Sequence, residues 1–117
     1  MTHTLTLDRW LPARLNALLR MHWAARKRHQ CASDTLVACT ALAQRVPRAT
    51  TRRRVSVLFR QPRGPLADPA AHLKQLLDAL VHAGLLRDDR PEWCELGSIT
   101  SERGPMTTVV TLEDVEG

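Results

Sequence analysis

The stretch Leu66–Asp89, "LADPAAHLKQLLDALVHAGLLRDD", decides how the chain folds. Asp68 followed by Pro69 is typical of a helix start, because Asp caps free N–H groups and proline fits the first helical position. The apolar residues that follow recur at i, i+3 and i+4. They are Leu73, Leu76, Leu77, Leu80 and Val81. Gly84 then predicts a C-terminal cap, so the stretch predicts an amphipathic helix with one buried stripe.

Hydrophobic patterns on either side of this helix predict the remaining elements. Alternation of polar and apolar residues predicts four strands, at residues 3–10, 52–61, 93–102 and 107–115. Residues 15–46 contain no proline and predict a first helix that Pro47 ends. Its expected apolar face consists of Leu36, Val37, Cys39, Thr40 and Ala43. The order β-α-β-α-β-β predicts an α/β fold in which helices pack on a small mixed sheet.

The composition bounds the class of protein. The chain has 117 residues, 44% of them hydrophobic and 25% charged, which predicts a single domain over residues 1–117. It has neither a run of about 18 apolar residues nor a signal-peptide pattern, so we expect no membrane partner. The three cysteines are widely spaced, which predicts neither a disulfide framework nor a zinc site and favours the reducing cytoplasm. His72 and His82 lack metal-ligand spacing, and we expect them at the surface.

The net charge of +5 is unevenly distributed along the chain. Residues 1–63 carry 13 lysines and arginines against two acids, whereas residues 64–117 carry four against ten. This asymmetry favours a basic surface for phosphates beside an acidic region that could hold a cation. The alternative is that the two halves attract each other and the charges serve docking within the fold.

The opening stretch resembles the central motif of the RusA family of Holliday-junction resolvases. In that family the motif runs Asp, any residue, Asp, Asn, two residues and Lys, followed by an "LDAL" helix, a glycine and paired aspartates. This chain has Asp68, Lys74, "LLDALVHAGLL" and Asp88-Asp89 in the same register. Upstream, "LPARLN" and "RMHWAARKR" resemble the N-terminal loop and the basic helix start of the family.

The resemblance implies a homodimeric, Mg²⁺-dependent endonuclease that acts on four-way DNA junctions. Asp68, Asp88 and Asp89 would form the metal site, and Asp68, Asp89 and Lys74 would be catalytic, with Lys74 contacting the scissile phosphate. The residues implied in DNA binding are Asn16, Arg20, His22, Arg26, Lys27, Arg28, Arg52, Arg53 and Arg54.

The chain departs from the family motif at two positions. Ala70 stands where the family has its second aspartate, and Ala71 stands where it has asparagine. Because Mg²⁺ takes oxygen ligands, Ala70 removes one of the three expected carboxylates and predicts weakened cleavage. Two other functions stay open: a branched-DNA-binding protein that has lost cleavage, and a protein-interaction module whose basic half binds an acidic partner.

Overall fold

A computed structural model describes residues 1–115 as one layer of helices on one layer of sheet. The predicted α/β class and the order β-α-β-α-β-β are confirmed, with a short helix preceding the first long one. The elements are β1 (Thr2–Asp8), α1 (Leu15–Arg20), α2 (Trp23–Ala43), β2 (Arg52–Gln61), α3 (Leu73–His82), β3 (Cys94–Arg103) and β4 (Thr107–Val115). One turn of 3-10 helix, Pro69–His72, leads into α3.

The four strands form one mixed sheet in the order β1-β4-β2-β3. β2 and β3 are parallel, and α3 provides the crossover between them. β4 pairs antiparallel with both β1 and β2. β3 and β4 are therefore consecutive in sequence without being neighbours. The turn that joins them passes the end of β2, where Gly104 N–H donates to the carbonyl of Gln61 at 3.1 Å.

The crossover helix α3 follows the sequence prediction closely. Leu73, Leu76 and Leu80 are buried against the sheet, which is what the i, i+3, i+4 stripe requires. Gly84 ends the helix with φ +78°, a left-handed conformation that glycine adopts without a Cβ clash. Asp68 occupies the N-cap position, but its side chain makes no capping hydrogen bond. The Asp68 carboxylate therefore does not cap the helix, although the sequence predicted that it would.

The first helical segment differs from its prediction in two ways. The chain breaks at Met21–His22 instead of running as one helix, because the side-chain Nδ1 of His22 accepts Ala24 N–H and starts α2 there. The buried face is also shifted. Of the five positions expected on it, Val37 is buried while Cys39 and Ala43 are exposed. The fully buried positions of α2 are Ser33, Val37 and Ala41, an i, i+4, i+8 row.

Two side chains, Arg53 and Gln44, make polar contacts that stabilise the sheet. Arg53 is only 2% exposed and binds Asp114 of β4 at 2.8 Å. On the outer edge of β1, the side-chain amide of Gln44 pairs with both the N–H and the carbonyl of Thr6, each at 2.8 Å. This pairing occupies backbone groups that an exposed edge strand would offer to another chain. Within residues 1–115, no helix has the length and apolar character that a membrane span requires.

Candidate nucleic-acid interface and carboxylate cleft

The loop before α1 is fixed to the start of α3 by two buried side chains. Nδ1 of His72 donates to the carbonyl of Pro12 at 2.7 Å, and Oε1 of Gln75 accepts Ala13 N–H at 2.6 Å. His72 is buried at 8% exposure, so its expected surface position is wrong. Gln75 also donates from Nε2 to Nδ1 of His29 on α2. These bonds set the position of α1 and α2 relative to Asp68.

A cleft of about 360 Å³ lies where this loop meets the 3-10 turn. Its lining residues are Arg14, Leu15, Asn16, Asp68, Ala70 and Ala71. The structure thus brings together Asn16 and Asp68, two of the residues that the motif resemblance implied. Asp68 is exposed, and within residues 1–115 its carboxylate accepts no hydrogen bond and forms no ion pair. Its charge is available to a ligand.

Asp88 and Asp89 lie at the opposite end of the crossover. Asp88 accepts the N–H of Asp89 at 2.7 Å and lies 3.5 Å from Nε of Arg90. Hydrogen bonding with Asp89, through its side chain and then its N–H, lowers the pKa of Asp88, and the Arg90 charge adds to this. Asp89 is close enough to the buried thiol of Cys94 for its charge to raise that thiol's pKa, although burial is the larger cause.

Within one chain, the structure does not bring Asp68 and Asp89 together. The segment that precedes Asp68 is hydrogen-bonded to the end of β3, because Leu66 N–H donates to Oγ of Ser101 at 2.8 Å. Asp89 instead lies near Cys94, the first residue of β3. Cys94 and Ser101 are separated by about 23 Å of extended strand, at about 3.3 Å per residue. In residues 1–115, no three His, Cys, Asp or Glu side chains form a group that could hold a metal.

Lys74 lies on the exposed side of α3 and takes part in a different cavity. Its Nζ binds Oδ1 of Asp78 at 3.1 Å, an i, i+4 ion pair on one face of the helix. Both residues line a groove of about 470 Å³ between α1, α2 and α3. Lys74 therefore lines the groove beside α2, whereas Asp68 lines the neighbouring cleft.

The three arginines at the start of β2, Arg52 to Arg54, make hydrogen bonds and ion pairs within the fold. Arg53 donates to Asp114 and to the carbonyls of Pro47 and Leu85, at 2.8, 2.9 and 3.0 Å. Arg54 contacts Glu95 and Glu113 at 3.1 Å each. The charge of Glu95, followed by that of Glu113, raises the pKa of the Arg54 guanidinium.

Arg52, the third member of the triplet, donates to the carbonyl of Pro91 at 2.9 Å and lies 4.0 Å from Glu95. In this conformation Arg53 is not presented to a ligand, because its side chain is 2% exposed and its Nε and Nη1 groups donate these three bonds. Arg52 and Arg54 are largely neutralised by the acids of β3 and β4. At the start of β2, the charges therefore serve docking within the fold, because the basic half of the chain pairs with the acidic half.

The cations of α1 and α2 have a different environment. Arg20, Arg26, Lys27 and Arg28 are all exposed, as is Arg14 in the cleft. Among the described residues, none of these five forms an ion pair. No acid occurs between Asp8 and Asp34 to neutralise them. His22 is exposed, but its Nδ1 is used in the α2 cap.

Sequence reasoning missed Trp23 and Arg14. Trp23 is 68% exposed and lines the groove beside Arg26 and Lys27. A signal was present, since Arg26 and Lys27 follow Trp23 at i+3 and i+4 and therefore share its helix face. Arg14 sits in "LPARLN", and its role depends on the long-range bonds that fix that loop.

No family model matches the chain, and no curated protein matches it.

Proposed function

We propose that this protein binds branched DNA, with the four-way junction as its preferred form. The observation that carries the proposal is the segment from Arg14 to Arg28. It holds five exposed cations that have no ionic partner within residues 1–115, whereas the arginines of β2 are paired with acids. Unpaired cations grouped on one segment are the means by which proteins hold phosphates without reading sequence.

The motif resemblance supports the choice of branched DNA over DNA in general. Asn16 and Asp68, the loop and motif residues of that resemblance, line one cleft next to Arg14. A four-way junction has two-fold related arms, so a homodimer would present two such surfaces to it. We place this activity in the reducing cytoplasm, where the thiols of Cys31, Cys39 and Cys94 would stay free.

A direct test compares a labelled four-way junction with a linear duplex of the same arm sequence, by fluorescence anisotropy in EDTA. The proposal expects tighter binding to the junction. Equal affinity for the two DNAs would overturn the preference for branched DNA. If neither DNA binds, the basic segment serves a protein partner instead, and the proposal fails.

Mg²⁺-dependent cleavage is a second candidate function. It is favoured by the free Asp68 carboxylate, which lies in the same cleft as Asn16 and Ala70. The test adds Mg²⁺ to the bound junction and compares the present chain with Ala70→Asp. We expect nicking from Ala70→Asp alone, because only that variant has two carboxylates at the cleft. Nicking by the present chain would show that the missing carboxylate is dispensable, and none from Ala70→Asp would remove this candidate.

A further inference from the structure

The groove between α1, α2 and α3 combines an apolar surface with positive charge. Its apolar residues are Leu15, Leu18, Leu19 and Trp23, and its polar residues are Arg26, Lys27, Gln30, Lys74 and Asp78. Leu19 is 62% exposed and Trp23 is 68% exposed, which is unusual for side chains so large. Exposed apolar side chains collected at one site mark a binding surface.

The charges in the groove select an anionic ligand. Three cations line it against one acid, and that acid, Asp78, is already bound to Lys74. Arg26 and Lys27 have no ionic partner in the described part of the chain. A ligand that fits must therefore pair a flat or apolar part with at least one negative charge.

The arrangement around Trp23 matches a nucleotide. Arg26 and Lys27 lie one helical turn from the indole, at i+3 and i+4 on the same face of α2. An exposed aromatic ring offers a stacking surface to a base, while cations one turn away offer contacts to its phosphate. His22 lies beside Trp23 with ring centroids 5.6 Å apart, which supports the ring on one side.

One of the polar residues of the groove, Gln30, also connects the helices that form it. Nε2 of Gln30 donates to Asp34 at 2.8 Å and to the carbonyl of Gln75 at 3.4 Å, which ties α2 to α3. Leu15 lines both this groove and the cleft of Asn16 and Asp68, so one side chain separates the two cavities. A strand with a base in the groove would carry a neighbouring phosphate toward the cleft.

We propose that this groove takes an unpaired nucleotide at a DNA branch point, with the base stacked on Trp23 and the phosphate held by Arg26 and Lys27. The proposal rests on the proposed function. It adds recognition of one unpaired base to recognition of the branched shape of the DNA. An acidic protein partner would use the same charges. It would not depend on an unpaired base.

The test measures affinity for two four-way junctions that differ only in one unpaired nucleotide at the branch point. We expect the native chain to prefer the junction with the unpaired nucleotide by about 5- to 150-fold, the range for one base stacked on an aromatic ring. Trp23→Ala should abolish this preference, and Trp23→Phe should keep most of it. Leu42→Ala is the matched control, because Leu42 is 81% exposed on the same helix and lies outside the groove.

The outcomes separate the two proposals. If the native chain binds the paired junction but shows no preference for the unpaired nucleotide, the inference about the groove fails and the proposed function stands. Failure to bind either junction removes the proposed function itself. A preference that survives Trp23→Ala assigns base recognition to other residues and overturns the role of Trp23. A Trp23→Ala loss that is equal for both junctions also overturns it.

Discussion

Arg53 provides the sharpest test of the division between arginines that hold the fold and cations that face solvent. Its side chain is 2% exposed and donates three hydrogen bonds, to Asp114, Pro47 and Leu85. We consider Arg53→Met, which keeps apolar volume in the site but removes all three bonds. It leaves the carboxylate of Asp114 without its main partner and two carbonyls without donors.

The size of the effect follows from these losses. Removing one partner of a buried ion pair costs about 3–5 kcal/mol. The Asp114 side chain is 30% exposed and regains some contact with water, so we expect the lower end, about 3 kcal/mol. Urea unfolding should show a midpoint about 1–3 M lower, since m values of small proteins are about 1–3 kcal/mol/M.

Arg54→Met is the matched control, because Arg54 neighbours Arg53 in β2 but lies on the solvent-facing side between two exposed acids. It should lose much less stability. A loss for Arg53→Met no larger than that for Arg54→Met would refute the reasoning. It would also return Arg53 to the candidates for DNA contact.

The same pair gives the protein a pH dependence with a defined sign. Hydrogen bonding from Arg53 lowers the pKa of Asp114 below its ordinary value, and the Arg53 charge and His3 contribute in the same direction. Because the folded-state pKa lies below the unfolded one, the unfolded state takes up the proton more readily. The stabilisation is therefore fully present above the unfolded pKa and is lost as pH falls toward the folded value. Arg53→Met should flatten this acid limb of the stability profile.

Three further predictions concern the framework. Gly84→Ala should destabilise the protein by about 1–2 kcal/mol in thermal melting, because a left-handed backbone is strained for a residue with a Cβ. An unchanged melting temperature would contradict the role of Gly84 as the left-handed C-cap of α3. Gln44→Ala should free the edge of β1 at Thr6 and cause concentration-dependent association in light scattering, whereas a monodisperse variant would show that the edge needs no cover. Burial raises the pKa of the Cys94 thiol, so a thiol reagent should modify the two exposed cysteines first; early loss of the Cys94 thiol would argue against its burial.

Local patterns were sufficient to predict most of the elements. The leucine stripe of α3, its Gly84 cap and the alternation in β2 depend on neighbours within a few residues, so periodicity reveals them. The break at Met21–His22 carries no proline or glycine signal. It depends on the His22 cap and on the bonds from His72 and Gln75, which join residues about 60 positions apart. The placement of β4 between β1 and β2 is likewise a long-range property that alternation cannot show.

The candidate site was predictable in composition but not in detail. The charge asymmetry located the basic half, and the motif drew attention to Asn16 and Asp68, which do share a cleft. Which cations remain free depends on contacts such as Arg53 with Asp114, 61 positions away in sequence. The separation of Asp68 from Asp89 is also set by topology, because a crossover helix returns the chain to the opposite end of the sheet.

The salt dependence of junction binding tests the central claim most directly, namely that the α1–α2 segment and not β2 contacts DNA. Arg26→Gln/Lys27→Gln removes two exposed, unpaired cations, and Arg60→Gln removes one cation that is paired with Glu102 on β3. If each of the two contacts one phosphate, the slope of log affinity against log salt should become shallower by about 1.8 in the double variant. Arg60→Gln should leave the slope unchanged. A slope that is unaffected by Arg26→Gln/Lys27→Gln, or that falls with Arg60→Gln instead, would contradict the account.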